Sequence, residues 1–282
     1  MINSMNYKYY PYFLFRLMIK ALKSILPYRL YLSLRRIYAY LTYFFYFGFK
    51  YHCPICKKSF RKFLSYGLNI PVLKEKKVIG GGYYSLNRLC PFCYTDERRR
   101  LLYLFLKNRT NIFTTNKQIK LLHIAPEQSL RTLITKNPNI KYFDVDLYLS
   151  LVKYKADITN LKFKKNYFDA IICCHVLEHI QDDMKAMSEL YRVLKPNGWA
   201  ILQVPISPVI KETVEYPEIT SENERKRLFG QKDHVRIYGR DYKNRLESVG
   251  FNVKIDNSIT TISKFVSEYS LNKEESIYFC KK

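Results

Sequence analysis

Residues 168–205 read FDAIICCHVLEHIQDDMKAMSELYRVLKPNGWAILQVP, and this stretch decides the fold. Asp169 enters a short apolar run, Ala170 to Cys174, the pattern of a strand buried on both faces of a parallel sheet. Beyond Asp182 the apolar residues Met184, Met187, Leu190, Tyr191 and Leu194 recur at helical spacing, with Asp182 and Asp183 where a helix N-terminus favours negative charge. Pro196-Asn197-Gly198 breaks the helix, and Trp199 to Val204 is a second buried strand. Strand, crossover helix and strand form the unit of a doubly wound α/β sheet. In such sheets ligands lie beyond the carboxyl ends of the strands, here Cys174 to Ile180 and Pro205 onward.

Three segments, FDAIICCHVLEHI, ELYRVLKPNGWAIL and the later RDYKNRLESVGFNV, taken in this order and spacing, resemble the class I, Rossmann-like methyltransferases that use S-adenosylmethionine. The resemblance covers roughly the last 165 residues, enough for one α/β domain. It implies a mostly parallel sheet with an antiparallel last strand. The expected strands are Ile119–Ala125, Asn139–Asp146, a third ending at Ala156-Asp157-Ile158, and, after a charged insertion to about Val235 and a helix from Asp241 to Val249, the runs FNVKID and SIYFC.

Cofactor positions follow from the same likeness. Asp146, at the end of the second strand, corresponds to the carboxylate that accepts both ribose hydroxyls, with Asp144 a deeper and weaker choice. Asp157 with the backbone of Ile158 corresponds to the position that reads the adenine amino group, and Cys174 ends the fourth strand at the cofactor. The first turn departs from the family. Where an acidic residue and glycines are usual, this chain has His123-Ile-Ala125-Pro-Glu127-Gln-Ser129. Alanine and serine are small enough for close approach, and Glu127 can receive the cofactor's ammonium group.

Methyl transfer from a sulfonium requires alignment of the nucleophile and, for a hydroxyl or amine, removal of a proton. The candidate bases lie at strand ends: His175 and His179 after the fourth strand, Glu178 in the same loop, and His234 closing the insertion. Imidazole titrates near neutrality and can accept that proton.

The strongest local signal lies upstream, in Cys53-Pro-Ile-Cys56 and Cys90-Pro-Phe-Cys93. Two such turns supply a tetrahedral four-thiolate site suited to a structural zinc ion, iron being the other metal four sulfurs accept. Gly80-Gly81-Gly82 suits a hairpin between the two knuckles, and Thr95 is placed to cap a following helix, DERRRLLYLFLKN. Four of seven cysteines are thus assigned to metal, which together with the lack of a cleavable signal predicts a reducing, cytoplasmic setting.

Charge is unevenly spread. The chain carries 48 Lys and Arg against 24 Asp and Glu, yet no acidic residue precedes Glu75. Leu14 to Ile25 reads as a basic amphipathic helix ended by Pro27, and Tyr28 to Phe49 ends in the aromatic run AYLTYFFYFGF, too short to span a bilayer. Basic, aromatic and amphipathic character together predict peripheral contact with an anionic membrane on its inner face.

The expected organisation is therefore a helical arm over residues 1–50, a zinc-ribbon-like module with its linking helix over 51–112, and a methyltransferase domain over 113–282. The leading functional expectation is methyl transfer at a membrane surface to a small molecule, lipid-linked sugar or surface glycan; the acceptor itself is not legible. Nucleic acid is the alternative partner, since rRNA methyltransferases also place a zinc ribbon before this fold and Arg98-Arg99-Arg100 offers phosphate contacts. A catalytically silent scaffold is the third reading, supported by the altered first turn.

Overall fold

The computed structural model describes residues 27–147 and 152–282, so the Leu14–Ile25 helix expected from sequence lies outside the described residues. Helix α1, Tyr28–Tyr46, follows Pro27. It stops earlier than the sequence suggested, because Phe47 takes extended backbone and begins strand β1, Phe47–Cys53, which pairs antiparallel with β2, Lys58–Phe60. Tyr43 on the inner side of α1 packs edge-on against Phe60 and Phe92, with centroids 5.6 and 6.1 Å away, and so seats the helix on the cysteine module.

Strand β3, Leu64–Tyr66, helix α2, Pro71–Glu75, and strand β4, Ser85–Leu89, come next. The hairpin expected at Gly80–Gly82 does not form there. β3 and β4 pair around a longer excursion containing α2 and the glycines. Gly80 and Gly82 sit at φ +73° and +83°, backbone open to glycine at little cost, and turn the chain back so that Ile79 bridges Ile206 of the larger domain. Helix α3, Glu97–Arg109, is capped by Asp96 rather than Thr95, the carboxylate accepting the Arg99 N–H at 3.1 Å. Thr95 turns instead toward the cysteine sulfurs, its hydroxyl 3.0 Å from Cys93 Sγ.

The remaining chain builds a seven-stranded sheet. Its strands are β5 (Ile119–Ile124), β6 (Ile140–Asp146), β7 (Tyr154–Lys155), β8 (Phe168–Cys174), β9 (Leu194–Gln203), β12 (Asn252–Asp256) and β13 (Ile277–Lys281), in spatial order 12-13-9-8-5-6-7. β13 runs antiparallel to both neighbours; the others pair in parallel. The small strands β10 (Val214–Glu215) and β11 (Arg236–Ile237) pair within the insertion after β9.

Alternation explains why these runs are buried on both sides. Ile171 and Cys173 of β8 join Leu122, Ile124, Ala200 and Leu202 in one core, whereas Ala170, Ile172 and Cys174 join Leu121 and Ile201 in the other. The first core is covered by α5 (Asp183–Val193) and α7 (Tyr242–Ser248), the second by α3 and α4 (Gln128–Ile134). The helix read as a linker after the cysteines is thus part of the sheet's own core, through Leu101, Leu102, Leu104, Phe105 and Leu106.

One local expectation is corrected. Pro196-Asn197-Gly198 does not separate helix from strand; it is a bulge inside β9, where Leu194 pairs with Phe168 and Trp199 with Ala170. Besides β10 and β11 the insertion holds α6, Glu222–Phe229, and a helix not foreseen, α8, Ser263–Glu268, lies between β12 and β13.

Candidate functional site

The four cysteines meet. Their sulfurs lie within 4.8 Å of one another, Cys56 and Cys90 at 3.8 Å and Cys53 and Cys93 at 3.5 Å. Four thiolates around one Zn²⁺ at ~2.3 Å stand about 3.8 Å apart, so little movement separates this cluster from a tetrahedral shell. The two knuckles have the same backbone: Lys57 N–H donates to Cys53 O and Tyr94 N–H to Cys90 O, with Lys57 and Tyr94 both left-handed, at φ 58° and 56°. The Thr95 hydroxyl faces Cys53 and Cys93, an outer hydrogen bond of the kind that supports thiolate ligands.

A second site opens beyond the carboxyl ends of β5, β8 and β9. A cavity of about 190 Å³ is lined by Ala125 and Glu127 after β5, Cys174 and His175 after β8, Gln203 of β9, and by Arg98, Arg99 and Glu275. Ala125 takes φ +47°, so the turn keeps left-handed backbone without a glycine, at a cost of ~1 kcal/mol. Glu127 is anchored from beneath. Buried His123 Nε2 lies 2.9 Å from Glu127 Oε2, and the Tyr142 hydroxyl lies 2.8 Å from His123 Nδ1. A carboxylate accepts only, so Nε2–H donates to Glu127 and Nδ1 accepts from the tyrosine. His123 thus positions Glu127 beneath the cleft.

Asp144 and Asp146 part company as alternation requires. Asp144 is buried, paired with Arg131 at 2.7 Å, and accepts the Lys153 N–H at 2.9 Å, so its role is structural. Asp146 ends β6 half-buried beside the first turn, where Ala125 N–H donates to Val145 O. Asp157 accepts the Thr159 N–H and so starts a 3₁₀ turn, whereas the Ile158 side chain is buried in the core. Asp146, Asp157 and Ile158 do not line the 190 Å³ cavity; they lie along the neighbouring strand ends.

The three histidine candidates gather around Glu178. His175, itself left-handed at φ 56°, places Nδ1 3.5 Å from Glu178 Oε1. His179 and His234 meet edge to face at 4.7 Å. The turn carrying Glu178 and His179 is pinned by Arg236, whose guanidinium donates to the carbonyls of Leu177, Ile180 and Gln181. Burial, reinforced by Arg98, holds His175 well below the usual imidazole range, and burial with the nearby His179 takes His234 to about 3. Both rings are neutral at pH 7. Burial pushes Glu178 up to about 8, so its carboxyl is largely protonated there.

Sequence reasoning missed Arg98, Arg99, Gln203 and Glu275 as cavity residues. Gly80 brings the excursion over this cleft: its carbonyl accepts from Arg98 Nη1 at 2.7 Å, and a methyl added to it would stand 3.3 Å from His175 Cε1. The Arg98–Arg100 triplet does not form a phosphate-facing patch. Arg100 is fully buried and Arg98 turns into the cavity. Arg98 Nε, His175 Nδ1 and Glu275 Oε2 are buried at this cavity without a hydrogen-bond partner among the described residues. Polar atoms so placed favour a polar ligand.

Glu275 makes a prediction in pH. Burial, and next the Glu97 charge, raise its carboxyl from 4.5 to about 8. Between these values the folded chain holds a proton that the unfolded chain has lost, so this group's contribution to stability falls as pH rises and is lost above about 8. Glu275→Gln should therefore raise the denaturation midpoint at about pH 9 much more than at about pH 5. Equal shifts at both would refute a buried, high-pKa carboxyl.

Comparison with known proteins bears on this cleft. Residues 115–202, which hold β5, the first turn, β6, β8 and most of β9, match the family model described as methyltransferase domain. That stretch is similar to a methyltransferase domain. An uncharacterized protein of Methanocaldococcus jannaschii is 40% identical over 78 residues, 25% of this chain and 34% of its own. The demethylmenaquinone methyltransferase of Streptomyces avermitilis is 46% identical over 47 residues, 17% of this chain and 20% of that one. This chain therefore spans about a third or less of those curated relatives. A solved structure titled as a SAM-dependent methyltransferase from Archaeoglobus fulgidus superposes at TM-score 0.43 and 17% identity, covering 65% of this chain and 94% of that one. The matched stretch 115–202 holds the strands whose ends form the cleft.

Proposed function

We infer that the chain is an S-adenosylmethionine-dependent methyltransferase working at a membrane surface, on a small molecule, lipid-linked sugar or surface glycan. The observation that carries the first half is the cleft itself, built at the ends of β5, β8 and β9 by the stretch similar to a methyltransferase domain and holding polar atoms without a hydrogen-bond partner among the described residues. The residues present fit the cofactor. Ala125 supplies the left-handed turn, Glu127 a fixed carboxylate for an ammonium group, and Asp146 a strand-end carboxylate for ribose hydroxyls. The cofactor supplies an activated methyl group; the chain aligns the acceptor, and neutral His175, facing the cleft, takes up its proton. Incubating cell fractions with the protein and methyl-labelled cofactor tests this reading. Label in lipid or glycan is expected, and label only in RNA would transfer the proposal to nucleic acid.

The membrane half rests on α1 and the strand after it. Leu30, Leu34, Ile37, Leu41, Phe44, Phe45, Phe47 and Phe49 are exposed, Phe44 at 78% and Phe49 at 87%, on a segment without acidic residues. So large an apolar face calls for a covering surface, and among the described residues no helix is long and apolar enough to cross a membrane. The arm would lie in the interface. Phe44→Glu with Phe45→Glu should abolish sedimentation with anionic vesicles while leaving the fold intact, since neither ring is buried. Unchanged sedimentation would remove the membrane from the proposal.

The tetrathiol cluster is proposed as a structural zinc site, because four sulfurs close the shell to substrate. Protein prepared without chelators should keep about one zinc per chain through dialysis, and Cys56→Ser should lose it.

A further inference from the structure

The geometry points to a second metal site, for a divalent first-row transition ion, formed by Glu178, His179 and His234 beside the cleft. Each offers a ligand atom, and the three lie within 4.8 Å of one another. Nitrogen and oxygen ligands held at ~2.1 Å from one ion stand about 3 to 3.5 Å apart, so a small inward movement would close the site. Two imidazoles and one carboxylate suit Zn²⁺, Fe²⁺ or Mn²⁺, and three protein ligands leave positions open.

Two independent observations favour an ion over mere packing. Glu178 is 2% exposed, and its Oε2 has no hydrogen-bond partner among the described residues. A buried carboxyl oxygen left so is costly unless something binds it. The His179 ring, moreover, is held from outside. His179 Nδ1 lies 3.1 Å from Asp233 O and 3.4 Å from Asp233 Oδ2, which leaves Nε2 as its ligand atom. Metal-binding histidines are oriented by such partners on their other nitrogen. Arg236, pinning the Leu177–Gln181 turn, and the Val235 N–H bond to Glu178 O at 2.9 Å fix the spacing between the two chain segments.

The site adjoins the cleft through His175, whose Nδ1 is 3.5 Å from Glu178 Oε1. An ion there presents its open positions to an oxygen of a molecule in the cleft. That use rests on the methyltransferase proposal; binding of the ion does not.

The test keeps the four cysteines occupied. The full chain is loaded with one equivalent of Zn²⁺, which the four thiolates take first, desalted and titrated with Co²⁺, which reports nitrogen and oxygen ligands by weak visible bands and thiolates by intense near-ultraviolet charge transfer. One Co²⁺ per chain should bind, with visible bands and no added charge-transfer absorption. Affinity should fall at least ~10-fold in Glu178→Gln and in His179→Ala, the second a half-exposed side chain whose loss the fold tolerates. Wild-type protein with no saturable Co²⁺ binding, or variants that bind as tightly as wild type, would overturn the site. Failure of methyl transfer with cobalt binding intact would remove the proposed function and leave the metal site standing.

Discussion

Arg100→Met is expected to destabilise the protein by more than about 3 kcal/mol. Arg100 is fully buried, and its guanidinium serves four carbonyls. Nε donates to Tyr269 O and Nη1 to Thr95 O, both at 2.7 Å, and Nη2 to Arg88 O and Ser270 O at 3.0 and 2.9 Å. The plane also lies 4.6 Å from the Phe63 ring. One side chain therefore joins the cysteine module, through Arg88, Thr95 and Phe63, to the segment before β13. Methionine keeps the volume and removes every donor, leaving four buried acceptors whose desolvation costs ~1–3 kcal/mol each, not fully additively. Arg100→Lys keeps charge but has three donors on a compact head and cannot reproduce the fork, so it should fall between. Denaturant melts of the zinc-loaded protein measure the order; a methionine variant within ~1 kcal/mol of wild type would show that the carbonyls find other partners.

Asp146→Ala is expected to weaken S-adenosylmethionine binding at least tenfold, with little change in stability. A carboxylate accepting two ribose hydroxyls makes charge-assisted hydrogen bonds worth ~1.5–3 kcal/mol, and ~1.4 kcal/mol is a factor of ten. Asp144→Ala provides the contrast. It breaks the buried pair with Arg131 and the bond from Lys153 N–H, so it should lower stability first. Calorimetry on both variants, with melts alongside, separates the roles. Wild-type affinity in Asp146→Ala would dismiss the ribose contact. Glu127→Gln asks the matching question of the first turn: it keeps shape and loses charge, so tight binding by that variant would refute the ammonium contact while sparing the cofactor.

The sequence by itself determined the sheet. Alternating burial leaves a double-faced strand nothing to be but apolar, so Ala170–Cys174 and Trp199–Val204 were legible as strands and their ends as the place for chemistry. It also determined the cysteine cluster, because each CPxC turn aims two sulfurs at one point whatever surrounds it. Local chemistry misled where two neighbours compete for one role. Thr95 and Asp96 can both cap a helix, and the sulfurs beside Thr95 settled the choice. Only the tertiary structure decided what lies across the cleft. Arg98, Arg99 and Glu275 are far from β5 in the chain, and Gly80 reaches His175 through an excursion whose path depends on Ile79 meeting Ile206. Likewise Glu178 and His179 meet His234 only because Arg236 ties the end of the insertion to the turn after β8. Periodicity reports burial one element at a time; contacts between distant segments are fixed by packing and by the need to satisfy buried polar groups, which no local pattern encodes.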